Sequence, residues 1–245
     1  MKAILQALLL ATVWVSGFAC AGDAVGAAAD ELQPARVLTY FEANSDAVGR
    51  CKSRLSQYLT AVRQYSSRAD VMVLQEIDRP QRFIVLETAD RTIDLAAAET
   101  RGQQVLTALN PLLIAPADRR THRDFADVPA PPVASVASGS AHVAGKSAPA
   151  KIYVVAHLDL GPPDQARGQA ALAKMVAAAR NSPGNLRFDA WQQSNRPNHF
   201  NIVATWSSQA ALDDFANSAA AREYRVSVAL LIGSPYDERL YRRID

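Results

Sequence analysis

Displacing the first half of this 245-residue chain by 117 positions lays identical residues on one another without a gap. Leu55 falls on Leu172, Arg63 on Arg180, Gln75 on Gln192, Phe83 on Phe200, Thr88 on Thr205 and Leu95 on Leu212. The densest match sets Arg79-Pro80-Gln81-Arg82-Phe83 against Arg196-Pro197-Asn198-His199-Phe200. With one residue inserted, Leu112-Leu113-Ile114 then meets Leu230-Leu231-Ile232. A solenoid needs three or more repeats to bury a continuous core, so two copies point to a duplicated domain. Each copy then has about 100 residues, enough for a core of its own.

The second copy shows its elements more clearly. From Lys151 to Leu160, Ile152, Val154, Ala156 and Leu158 alternate with Tyr153, Val155, His157 and Asp159, the period of a strand. Asp164 to Arg180 carries Ala171, Leu172, Met175, Val176 and Ala179 at helical spacing. After the turn Ser182-Pro183-Gly184-Asn185, Leu186, Phe188 and Ala190 predict a second strand. Asn195 to Asn198 predicts a hairpin turn, and Phe200, Ile202, Ala204 and Trp206 one face of a third strand. Ser207 is placed to cap a helix from Ser208 that buries Ala211, Leu212 and Phe215. A further helix over Ala219 to Ile232 and a strand over Asp237 to Ile244 complete β-α-β-β-α-β, the ferredoxin-like order, which is α+β. The first copy repeats it over 36–127 and the second occupies 151–245.

Between them, residues 128–150 are rich in Pro, Ala, Ser and Gly and nearly uncharged, the composition of a linker in which His142 has no task. At the N-terminus, Lys2, an apolar stretch from Ala3 to Ala19 and the small residues Ala19-Cys20-Ala21 have the layout of a secretory signal peptide over 1–21. Residues 22–35 follow as a disordered leader. The expected location is therefore the periplasm or exterior, with lipid tethering through Cys20 as the alternative, and the mature chain has no transmembrane span. Cleavage leaves Cys51 alone, which excludes an internal disulfide and fits a buried inert thiol.

A net charge of +2, with basic residues scattered, excludes a nucleic-acid partner. There is no C-x-x-C, H-E-x-x-H, G-x-S-x-G or phosphate-binding glycine loop. The charged run Asp118 to Arg123 fits a solvated strand edge, and Glu76, Asp78 and Glu87 fit solvent-facing acids around a hairpin.

One stretch of the second copy is more specific. Pro183-Gly184-Asn185-Leu186, Asn198-His199-Phe200, Ala204-Thr205-Trp206 and Ala210-Ala211-Leu212-Asp213 resemble the antibiotic biosynthesis monooxygenase (ABM) family. The resemblance implies a dimeric α+β barrel, built here as a pseudo-dimer within one monomeric chain. It also implies a small aromatic or hydrophobic ligand and oxygenation of quinol-like or phenolic molecules without metal, flavin or other cofactor. On that basis Trp206, Phe188, Phe215 and Tyr224 are candidate substrate-binding walls, and His157, with His199 second, the candidate proton acceptor. Members often carry a histidine in the helix after the tryptophan, where this chain has Phe215; the first copy has Ala89 and Ala98 at the two positions. Haem-degrading relatives use a strand-one asparagine where this chain has Ala156. The first copy is thus expected to be scaffold, and a non-catalytic ligand-binding or interaction module is the competing function.

Overall fold

The computed structural model describes residues 34–65, 69–90, 103, 106–125 and 150–244. The expected signal peptide, the leader up to residue 33, the linker up to residue 149 with His142, and Leu95 and Ala98 lie outside them. The first copy forms β1 (Ala35–Glu42), α1 (Val48–Tyr65), β2 (Ala69–Glu76), β3 (Arg82–Ala89), a 3-10 turn (Asn110–Leu112) and β4 (Asp118–Asp124). The second forms β5 (Ile152–Asp159), α2 (Gln165–Arg180), β6 (Asn185–Gln193), β7 (His199–Trp206), α3 (Gln209–Ala216), α4 (Ala219–Val228) and β8 (Asp237–Ile244).

All eight strands close into one antiparallel barrel in the order β1-β3-β2-β8-β5-β7-β6-β4. Each copy's last strand makes the closure. β4 pairs with β1 of its own copy through Tyr40↔Asp118 and Arg36↔His122, then crosses to β6 through His122↔Gln193. β8 likewise pairs with β5 through His157↔Asp237 and crosses to β2 through Leu74↔Arg243. Equivalent strands stand four places apart in an alternating ring and so run the same way. The pseudo-two-fold therefore lies along the barrel axis, and equivalent residues of the two copies share one barrel end.

Alternation along the strands divides the core into three layers. Leu38, Met72, Leu74, Ile84, Leu86, Tyr153, Val155, Trp191, Val203 and Tyr241 fill the lumen. Outside it, α1 packs Cys51, Leu55, Tyr58 and Leu59 over the first copy's strands, with Cys51 buried as expected. α2, α3 and α4 cover the second copy's strands.

The structure corrects several expectations. Asp118 to Arg123 is a solvated edge only in part: Asp118, Arg119, Thr121 and Arg123 are exposed, but β4 pairs with β1 over Asp118–His122 and with β6 over His122–Asp124, and its alternation sends Arg120 and His122 into a lumen that is polar at this end. Glu76 and Glu87 are buried, at 8% and 2% exposure, while Asp78 is exposed. Glu76 faces the lumen near Arg239, and Glu87 lies under α1 within reach of Tyr58 and Arg119. Leu186 is exposed, because a register shift between Asn185 and Arg187 lifts it off the inner row. The cap of α3 is Ser208, whose Oγ accepts from the Ala211 N–H at 3.1 Å. Ser207 lies one residue outside the helix, and its N–H donates to the Gly184 carbonyl at 2.8 Å. Helix α4 ends at Val228 rather than Ile232, and residues 229–231 form a turn.

One polar bridge in the lumen crosses the copies. His122 Nε2 donates to Asn201 Oδ1 at 2.9 Å, and Asn201 Nδ2 donates to the Tyr40 hydroxyl at 3.0 Å. Burial holds His122 down to about 4 despite its bond to Asn201. A histidine depressed in the folded state binds its proton more readily when unfolded. Its neutral form therefore supports the fold above the usual value near 6.5, and that support is lost as pH falls toward 4. The loss is about 3 kcal/mol at most. His122→Gln, which can still bond Asn201 without titrating, will lose less stability between pH 6.5 and 4 than wild type in urea unfolding. Equal pH slopes would rule out this role.

Gly184 has φ +77°, and a Cβ there would lie 2.5 Å from Ala211 Cβ and 2.7 Å from Ser207 Oγ. The Pro-Gly turn thus sets β6 against the start of α3 at a distance only glycine permits. Gly184→Ala will destabilise by about 1–3 kcal/mol, read as a lower urea midpoint.

Candidate functional site

On the outer face of the second copy, between its strands and α2, α3 and α4, lies a largely apolar cavity of about 390 Å³. All four aromatic candidates, Phe188, Trp206, Phe215 and Tyr224, line it. Phe188 faces outward from β6, Trp206 ends β7, Phe215 comes from the last turn of α3 and Tyr224 from the middle of α4. Trp206 stacks on Phe215 with centroids 5.1 Å apart and planes at 26°. Phe188 meets both edge-on, at 6.4 and 5.9 Å. These offset and T-shaped contacts add about 0.5–1.5 kcal/mol each beyond area burial and hold the wall in shape.

Polar groups in this wall are few. Trp206 Nε1 and the Tyr224 hydroxyl are buried with no hydrogen-bond partner among the described residues. An unmade bond of this kind costs about 1–3 kcal/mol, and a ligand oxygen seated between wall and helix would remove the cost. Burial pushes the Tyr224 phenol well above its ordinary range, so it stays a neutral donor.

The sequence reading missed three lining residues that carry polar groups, Arg225, Tyr236 and Glu238. Glu238 lies at the rim, open to solvent on one side, and the Tyr236 hydroxyl donates to its Oε2 at 3.3 Å. The surrounding protein raises its carboxyl; the Tyr236 bond and the Arg225 guanidinium oppose the rise without cancelling it. Strand alternation was the available signal: Asp237, Arg239 and Tyr241 face the lumen, which puts Glu238 outside with Leu240.

His157, the expected proton acceptor, does not line this cavity. It projects from the opposite face of β5 into the lumen, where its Nε2 lies 3.3 Å from Nδ1 of His199. His199 Nε2 in turn lies 3.4 Å from Asp159 Oδ1. Burial lowers both histidines, with Arg120 opposing their charge as well. The alternation that makes β5 a strand is what separates His157 from Val154, a cavity residue on the same strand. Among the described residues no group of three metal-ligating side chains converges.

The first copy differs at the corresponding place. Repeat and strand register set Tyr58 against Met175, Glu87 against Ala204, Ala89 against Trp206 and Arg119 against Glu238. Tyr58 donates to Glu87, and Arg119 lies 3.9 Å from the same carboxylate. A bonded polar cluster thus stands where the second copy has a methionine, an alanine and an open cavity.

Residues 151–226 match the family model of antibiotic biosynthesis monooxygenase. No curated protein matches the sequence. Among solved structures, a protein of Fusobacterium nucleatum named as a candidate monooxygenase superposes with a TM-score of 0.71 at 8% identity, covering 87% of this chain and 93% of its own. A candidate monooxygenase of Lactobacillus acidophilus gives 0.65 at 9% identity, with coverages of 87% and 95%. An anthrone oxidase-like protein gives 0.59 at 12% identity, with coverages of 87% and 92%. At these identities the likeness is one of fold, and it extends across both copies. Residues 151–226 of the second copy thus match an antibiotic biosynthesis monooxygenase domain, and the whole chain has the fold of the two-copy proteins it superposes on, a single-chain α+β barrel.

Proposed function

We propose that the second copy is a cofactor-independent monooxygenase of quinol-like or phenolic small molecules, acting in the cell envelope. The observation that carries this is the cavity beside Trp206: an apolar chamber of about 390 Å³, with buried unpaired donors in its wall and one carboxylate at its rim. The location follows from the signal-like N-terminus alone.

A quinol bound against Phe188, Trp206 and Phe215 gives a phenolic proton to Glu238. The anion that remains is electron-rich enough to reduce dioxygen itself, and the Tyr224 O–H and Trp206 N–H are donors for its charge. The ring carbon bonds one oxygen of O₂, and the protonated peroxide loses its far oxygen as water. Quinol and O₂ thus yield a hydroxyquinone and one water. The protein's part is to hold the ring, exclude bulk water and move the proton. The second reading, a ligand-binding module without turnover, is favoured by one observation: among the described residues no histidine lines the cavity.

Oxygen uptake with a panel of hydroquinones separates the two. The mature protein will consume oxygen above the spontaneous rate, and Trp206→Ala and Glu238→Gln will each lower kcat/KM by about 10²-fold. The wild-type rate will rise with pH through an acid limb set by the raised carboxyl of Glu238, and Glu238→Gln will flatten that limb. Saturable binding with no uptake would establish the binding module instead.

A further inference from the structure

A furrow of about 550 Å³ runs over the outer surface between α2 and α4. Along its floor Ala170, Ala171 and Ala178 from α2 and Ala220 from α4 are small, so the packed helices leave a groove instead of an interdigitated seam, and the exposed Arg167, Lys174 and Glu223 flank that alanine track. Met175 and Tyr224 line both this groove and the cavity beneath it, forming the partition between the two.

The partition is held by packing alone. Among the described residues the Tyr224 hydroxyl has no partner, and Met175 has three rotatable side-chain bonds and no polar anchor. The first copy shows the opposite arrangement: Tyr58 stands at the position of Met175 and is pinned to Glu87 by a hydrogen bond. The copy with a cavity is therefore the copy whose partition can swing aside.

We infer that the groove receives an acyclic apolar arm of the same molecule whose ring fills the cavity. The substrate class is thus an alkyl-substituted quinol, not a bare ring. This rests on the quinol reading of the cavity and adds where the rest of the molecule goes. An arm lying between the alanines covers apolar surface of α2 and α4 that is otherwise wet, and each methylene so buried tightens binding.

The test is calorimetric titration of the full mature protein, without oxygen, using hydroquinone and its 2-hexyl derivative. The hexyl compound will bind at least about tenfold more tightly. Ala220→Trp and Ala178→Trp, each filling the groove from one helix at a half-buried position outside the cavity lining, will remove that gain and leave hydroquinone binding unchanged. Thermal melts of both variants will show whether the fold is kept. Equal affinities, or a gain that survives both substitutions in folded protein, would overturn the arm site and leave the quinol reading standing. Binding of neither compound would remove both.

Discussion

The structure rests on a reciprocal exchange of strands. β4 and β8 each bond their own copy along one edge and the other copy along the other edge, so neither four-stranded unit has closed hydrogen bonding by itself. An isolated copy would expose two long edges of unpaired backbone, a template for aggregation. Closure removes every edge at once and also creates the lumen, a core layer that belongs to neither copy. Because the chain joins the halves covalently, the second half is always present at high effective concentration. The His122–Asn201–Tyr40 bridge then adds a requirement on pairing. A slip of β4 by one residue would turn His122 out of the lumen and leave Asn201 Oδ1 without its donor.

What the sequence made legible follows from the two periods, 2 and 3.6. The duplication shows in identities at a fixed offset of 117, the second copy's strands and helices in alternation and amphipathic spacing, and the first copy's through the repeat; a strand such as Ile152–Asp159 declares both its faces. The four aromatic wall residues were legible for the same reason: each lies on the apolar face of its element, and those faces meet in one place. What failed was any inference that needed to know what lies on the other face. β4 has charged residues on both faces and reads as an edge, because the polar lumen end it lines exists only after closure. His157 was assigned to the cavity by residue type, while its own alternation with Val154 placed it in the lumen. Glu87 reads as solvent-facing until α1 brings Tyr58 over it. Glu238 was hidden in a run of charges whose outer face is partly cavity rim.

The two copies have diverged at matched positions in opposite chemical directions. In the first, Tyr58, Glu87 and Arg119 satisfy one another beneath the helix. Burial raises the Glu87 carboxyl, and the Tyr58 bond and Arg119 act to restrain that rise. In the second, Met175 and Ala204 leave room at the same place, and Glu238 retreats to the rim. Breaking a buried cluster by removing one member leaves an uncompensated polar group. The first copy is therefore not one substitution away from regaining a cavity; Glu87 and Tyr58 would have to change together, along with Ala89.

That asymmetry has a thermodynamic reason. A void in a protein interior weakens it by roughly 24 cal/mol per Å³. At about 390 Å³ this approaches roughly 9 kcal/mol, an upper bound here because the cavity opens to solvent. In a dimer of identical chains, every change that opens one cavity opens its twin, and the cost doubles against a net stability of about 5–15 kcal/mol. Duplication into one chain uncouples the halves. One copy sets the Tyr58–Glu87–Arg119 cluster at that place and contributes β2 and β4 to the closure, and the other keeps space for a ligand under a partition with no hydrogen bond among the described residues to fix it. The single continuous barrel lets the stability of the first be felt by the second, since β8, which carries Glu238 at its start, is anchored at its far end to β2 of the first copy.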